Sequence, residues 1–292
     1  MSYAIVTDST ANLSAKQLEE NNVIAIPFPY FLNNQEYKYQ DLESFDAKQY
    51  YDAIRSGAKV TTSQINPQGY IDIMQSILES GEDILFIGIA SGISGAYASA
   101  EMARKQLLED FPERRIELID SKGAGLGEGL LVLKAAKCRL NGMELQETAE
   151  RMRLVRERIY QVFIVDDLAH LRRTGRLSNV SAIVGSVLGI KPLLKGNENG
   201  KIVAFEKIRG RKKAIKALAE KYFILAQNPT HQTIGISHAD CEEDAKYLAS
   251  LLQEKLAPKE IILAKHEPAT GSHIGPGALA LFFEGDNDVR YK

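Results

Sequence analysis

The sequence predicts an α/β protein of two lobes, an N-terminal lobe over about 1–160 on a parallel sheet and a C-terminal α+β lobe over about 161–292 with a mixed sheet. Three observations predict it. In the first half, short apolar runs alternate with stretches of helical period, the rhythm of βαβ units. In the second half, Asn197-Glu-Asn-Gly200 lies between two apolar runs and has the turn residues of a hairpin, which brings antiparallel pairing into that sheet. The composition, 45% hydrophobic and 25% charged over 292 residues, is that of a globular chain able to bury a large core.

The N-terminal elements follow in order. Ala4–Val6 reads as the first strand, and Ser14 with Gln17 forms a capping box that opens a helix. Val23–Leu32 is a second apolar run, closed by the turn signal Asn33-Asn34. Residues 22–60 fit the alternating rhythm poorly and are expected as an insertion packed on the sheet edge. Asn66-Pro67 caps and begins a helix running to about Ser80. The strand Ile84–Ile89, the helix Tyr97–Asp110, the strand Ile116–Ile119 and the helix Gly127–Leu140 complete this lobe.

Met143–Arg158 is a charged helix suited to connecting the lobes. After the strand Val162–Val165 comes an apolar helix of small residues, Val180–Leu188. Lys191–Leu194 and Ile202–Phe205 are the arms of the hairpin. A basic helix, the strand Thr233–Ile236, another helix, the strand Glu260–Ala264 and the apolar run Ala278–Phe283 end the chain.

Charge and cysteine usage narrow the function. A net charge of −2 gives no general attraction to nucleic acid or to a membrane surface. Cys138 and Cys241 are far apart and lack metal-site spacing, so they read as reduced thiols of a cytoplasmic protein, with no disulfide framework and no metal site expected. The start, MSYAIVTDST, passes directly into a strand, so no signal peptide is expected, and no apolar run is long enough to span a membrane.

Three polar clusters fall where strands give way to loops. In Ile87–Ala100 an apolar run stops at Ser91-Gly-Ile-Ser-Gly95 and a helical pattern follows. A strand–loop–helix junction leaves amides unpaired and partly positive, and Gly92 and Gly95 let a ligand approach the backbone, so the loop is shaped for an anion. It lacks the lysine of a nucleotide-phosphate loop and the spacing of a nucleophile elbow. A plain turn with a capping serine would look the same. Val60-Thr-Thr-Ser-Gln64 and Thr7-Asp-Ser-Thr10 are the other clusters; the former also reads as helix caps. Ligands of open α/β sheets sit outside strand C-termini, which makes the three together more telling than one. Among five histidines, His273 lies in Gly271-Ser-His-Ile-Gly-Pro-Gly277, read as a constrained turn holding its ring. The basic clusters 172–176 and 207–213 read first as solvated faces.

In order and spacing, these segments resemble the DegV family of bacterial fatty-acid-binding proteins. The resemblance runs nearly end to end, as one domain over 3–290. It rests on Thr7-Asp8-Ser9, Thr62-Ser63-Gln64, Ser91-Gly-Ile-Ser-Gly-Ala-Tyr97, Ile119-Asp-Ser121, Asp167-Leu168 with Gly175-Arg176, and His273-Ile-Gly-Pro-Gly-Ala278. Thr174 departs from a frequent Gly-Gly pair, Ala96 from a frequent threonine and Ile65 from a frequent proline.

The resemblance implies a long-chain fatty acid such as palmitate or oleate enclosed between the lobes, with no other cofactor. It implies that Thr62 and Ser94 hydrogen-bond the carboxylate, that His273 lies beside it, and that Arg176 and Arg209 serve phosphoryl transfer or partner docking. The implied partner is a separate ATP-binding kinase subunit that converts the acid to an acyl-phosphate for phospholipid synthesis. The chain itself is then a carrier without catalysis of its own, with room for transient membrane contact and none for nucleic acid. Val180–Leu188 is the expected tail lining, or an ordinary core helix. The enzyme alternative is a serine hydrolase of acyl esters, with Ser94 as nucleophile, His273 as base and Asp8 or Asp120 as orienter.

Overall fold

The computed structural model describes residues 2–178 and 189–292, so the expected helix Val180–Leu188 lies outside the described residues. The first lobe begins with β1 (Tyr3–Asp8), α1 (Ala15–Glu20) and β2 (Val23–Ile26). Next come β3 (Phe28–Leu32), β4 (Gln35–Tyr39), α2 (Ala47–Arg55) and β5 (Val60–Thr62). The βαβ rhythm then resumes with α3 (Pro67–Glu79), β6 (Asp83–Gly88), α4 (Ala96–Asp110), β7 (Ile116–Asp120), α5 (Leu126–Leu140) and α6 (Leu145–Arg158).

β2, β1, β6 and β7 form, in that order, a four-stranded parallel sheet. β6 is buried along its whole length, as expected of an inner parallel strand whose sequence is a continuous apolar run. The local signals behave as read. Ser14 and Gln17 cap α1 reciprocally, and Asn66 Oδ1 accepts from Gly69 N at 2.9 Å to open α3 with Pro67 in its first turn.

The expected insertion over 22–60 is corrected at its start. Val23–Ile26 pairs in parallel with β1 and belongs to the main sheet. Across Pro27 the same apolar run turns into β3, the middle strand of a separate three-stranded antiparallel sheet, β4-β3-β5. One hydrophobic run thus serves two sheets.

The second lobe contains β8 (Ile159–Ile164), α7 (Leu168–Arg173), β9 (Ile190–Gly196), β10 (Ile202–Arg209) and α8 (Arg211–Leu225). It continues with β11 (Thr233–His238), α9 (Glu242–Leu256), β12 (Glu260–Lys265), α10 (Pro268–Ile274) and β13 (Leu279–Glu284). Its six-stranded sheet has the order β10-β9-β8-β13-β11-β12, parallel only between β11 and β12. β9 and β10 are the expected hairpin.

α5 packs between the lobes, against β1 and β6 on one side and β8, β11 and β13 on the other. One continuous core joins Ile5, Leu85 and Ile87 of the first sheet to Phe163 and Phe282 of the second. Complete burial of such side chains is worth about 1.5–3 kcal/mol each. Arg290 closes the seam. The residue is 1% exposed, and its guanidinium donates to Lys122 O and Arg156 O at 2.9 Å and to Asn197 O at 3.3 Å.

Candidate functional site

The three polar clusters lie at the C-terminal ends of β1, β5 and β6, and Thr10, Thr62 and Ser94 from them line one cavity. After β6, Ala90 O accepts from Ile93 N at 3.1 Å and Ser94 N at 3.2 Å, which folds the chain back before α4. Ser94 Oγ accepts from Ala96 N at 3.2 Å, so its own hydrogen is left to be donated elsewhere. Ser91 Oγ donates to Asp120 Oδ2 at 2.6 Å, tying this loop to the end of β7.

The loop glycines have another cause than the one expected. A Cβ on Gly92 would meet Asn199 O and Gly200 of the β9–β10 turn, and one on Gly95 would collide with the Gln64 carboxamide. They admit neighbouring protein, and Gly95 also lines the cavity.

Behind the loop lies a cavity of about 390 Å³, within the usual range of small-molecule sites. Phe28, Ile89, Ile93, Phe163, Ile274 and Phe282 give it apolar walls, and both lobes contribute. Thr62, Ser94, Arg176 and His273 line the same cavity, so four of the five residues singled out by sequence come together. Arg209 is not among the lining residues; it is exposed at the end of the edge strand β10, opposite Ile190. Arg176 follows Gly175, whose φ of +74° takes the left-handed position, so Thr174, just after α7, is left unstrained. Arg176 Nη1 donates to Thr174 O at 2.5 Å. A more open depression, also lined by Ser94 and Arg176, adds Lys201 and Ser178 outside the cavity.

Thr62 Oγ1 and His273 Nε2 are hydrogen-bonded at 3.0 Å. His273 Nδ1 is buried and has no partner among the described residues. Burial, then the neighbouring Arg176 and His170, push the imidazole down to about 4, so it is neutral at pH 7. This arrangement does not support a hydrolytic triad. Asp8 accepts from Thr10 N and Ile89 N, and Asp120 from Ser91 and Lys122 N. Among the described residues, neither carboxylate is bonded to His273 and Ser94 makes no bond to its ring.

His273 sits at the end of a helix, not in the constrained turn its glycines suggested. α10 is capped by Glu267, and the pair Glu267-Pro268 is a helix-start signal that sequence reasoning missed. A second polar group meets the cavity through Thr10, His266 and Thr270. Thr10 Oγ1 bridges Asp8 and Glu128, the latter at 3.0 Å. Ser237 Oγ lies 2.8 Å from His266 Nδ1, His266 Nε2 lies 2.7 Å from Thr270 Oγ1, and Thr270 Oγ1 donates to Glu267. Burial is the first cause of each shift: it raises Asp8 and Glu128, pushes Glu267 up to about 7 and His266 down to about 3. Asp8 and Thr10 belong to a polar cluster the sequence already marks, but Glu128 and His266 carry no sequence signal, because their partners Thr10 and Ser237 lie far away in the chain.

Among the described residues, no helix is long and apolar enough to cross a membrane, and no group of three or more His, Cys, Asp or Glu side chains is placed to hold a metal ion.

Residues 2–286 match the family model described as an uncharacterised protein of the DegV family. A DegV domain-containing protein of Clostridium perfringens is 36% identical over 284 residues, covering 97% of this chain and 98% of that protein. The crystal structure of DegV, a fatty acid binding protein from Bacillus subtilis, is 31% identical, with a TM-score of 0.84 and coverage of 98% of this chain and 100% of that one. A DegV family protein from Thermus thermophilus, described for its fatty acid binding, is 26% identical, with a TM-score of 0.88 and the same coverage. With a two-lobed α/β fold and a family model matched over almost its whole length, the chain belongs to the DegV family.

Proposed function

We propose that this protein binds one long-chain fatty acid and presents the carboxylate to a separate ATP-dependent kinase subunit for acyl-phosphate formation. The observation that carries the reading is an apolar cavity bearing, on its wall, two hydroxyls, a neutral histidine with spare hydrogen-bonding capacity and an arginine. The relatives described as fatty acid binding support it. In this reading Thr62 and Ser94 donate to the carboxylate, His273 orients Thr62, and Arg176 at the cavity mouth faces the incoming phosphoryl group. Arg209, outside the cavity, belongs to the partner's docking face. The work is done in the cytoplasm, where ATP is at hand, and transient contact with a membrane supplies the acid.

The energetics divide the tasks. Each buried methylene is worth about 0.8 kcal/mol, so a long tail contributes roughly 10 kcal/mol before ordering costs. Hydrogen bonds to a charged head group contribute about 1.5–3 kcal/mol. The tail sets affinity, and the head-group site sets direction. Native mass spectrometry of the purified protein tests the binding: about one equivalent of fatty acid is expected, and the absence of any co-purified lipid together with no uptake of added palmitate or oleate would overturn it. Adding the kinase subunit and ATP should yield acyl-phosphate, trapped as a hydroxamate, whereas ATP turnover by this chain alone would contradict the carrier role.

A further inference from the structure

The helix that carries His273 is short, seven residues, and is held from outside. Its N-cap, Glu267, is fully buried and accepts from Ala269 N at 2.5 Å, Thr270 N at 2.8 Å and the Thr270 hydroxyl. Tyr39 OH, from β4, donates to Glu267 Oε2 at 2.5 Å. At the far end of the helix His273 meets Thr62 of β5. Tyr39 stands opposite Phe28 and Thr62 opposite Tyr30, on the two flanks of the same strand β3. One small sheet therefore grips both ends of α10.

Building on the fatty-acid reading above, we propose that Tyr39 and Glu267 are positioning residues for the head-group site: their hydrogen bond sets the tilt of α10 and so places His273 and Thr62 to receive a carboxylate. Six residues of helix make a lever of about 9 Å, so a tilt of roughly 6° about the cap moves the far end by about 1 Å. The useful range of a hydrogen bond is only about 0.5 Å wide. Tyr50 OH and Tyr51 OH donate to Pro268 O at 2.8 Å and His266 O at 2.9 Å. They anchor the chain around the helix start, but Tyr39 alone of the three engages the capping carboxylate. Without its hydroxyl the helix stays folded and attached, and its aim is lost.

The test separates aim from stability by comparing dodecanoate with dodecanol, each below its aggregation concentration. The alcohol has the same tail and no carboxylate. Tyr39→Phe should weaken dodecanoate binding about tenfold and dodecanol binding less than about twofold. Tyr3→Phe is the control, since it removes a buried hydroxyl bonded to Thr148 at 2.9 Å away from the cavity, and it should change neither ligand. Should Tyr39→Phe not fold, Glu267→Gln disturbs the same contact and should show the same selective loss. Equal weakening of acid and alcohol, or unchanged dodecanoate binding, would overturn the positioning role. A wild-type protein that binds no dodecanoate would instead overturn the fatty-acid reading on which it rests.

Discussion

Two polar groups reach the same cavity and differ in how completely they are satisfied. Around Asp8, Glu128, Glu267, Thr10, His266 and Thr270, the groups are buried and each carboxylate accepts at least two hydrogen bonds. Around Thr62, Ser94, Arg176 and His273, exposure is partial, the Ser94 hydrogen is uncommitted and His273 Nδ1 has no partner among the described residues. Buried polar groups are costly unless paired, so a saturated set reads as architecture and an unsaturated one as a place kept for a ligand. Polar residues in a cavity are therefore not interchangeable evidence.

The contrast predicts that the saturated group governs stability. Glu267→Ala removes the acceptor for Tyr39, for two amides and for a hydroxyl at once. Urea unfolding should show a loss of about 3–5 kcal/mol, the cost of losing the helix cap and leaving several buried donors unpaired. A loss below about 1 kcal/mol would break the distinction.

Acidity sharpens it further. Burial raises the Glu267 carboxyl from 4.5 to about 7, so the folded form holds its proton more tightly than the unfolded chain does. Its contribution to stability is complete below about pH 4.5 and is lost as pH rises through about 7, a span worth about 3 kcal/mol. Asp8 and Glu128 shift in the same direction. Urea midpoints should fall between about pH 5 and pH 8, and Glu267→Gln should flatten that slope.

The unsaturated group should behave in the opposite way. Thr62→Ala and Ser94→Ala should each weaken fatty-acid binding by about 1.5–3 kcal/mol while the unfolding midpoint barely moves. The smallest effect belongs to Arg209→Ala. With Arg209 outside the cavity lining, calorimetry should find affinity within about twofold of wild type, while acyl-phosphate formation with the kinase subunit falls. Equal loss of both would make Arg209 part of the binding site.

The sequence showed most where structure is local. The apolar run of β6, the Asn66-Pro67 cap and the Asn197–Gly200 turn each state their element within a few residues. It misled where one run served two sheets, since periodicity registers the strands of Val23–Leu32 but not that Pro27 moves the chain from one sheet to another. α10 was hidden because Gly271, Gly275 and Pro276 resemble a turn, although only Gly275, at φ +78°, ends the helix in a glycine conformation. Gly271 is required because a Cβ there would strike the Tyr51 hydroxyl. Of the residues proposed for the head group, Thr62 and Ser94 were legible as motifs at strand ends. The Thr10–Glu128 and Tyr39–Glu267 contacts join residues more than a hundred positions apart, and no local pattern announces them.

The most direct measurement is a crystal structure of the protein with palmitate. The account predicts the carboxylate within about 2.7–3.2 Å of Thr62 Oγ1 and Ser94 Oγ, near His273, with the tail against Phe163 and Phe282. A carboxylate seated instead at Thr10, His266 and Thr270, with its tail toward Ser94, would contradict it.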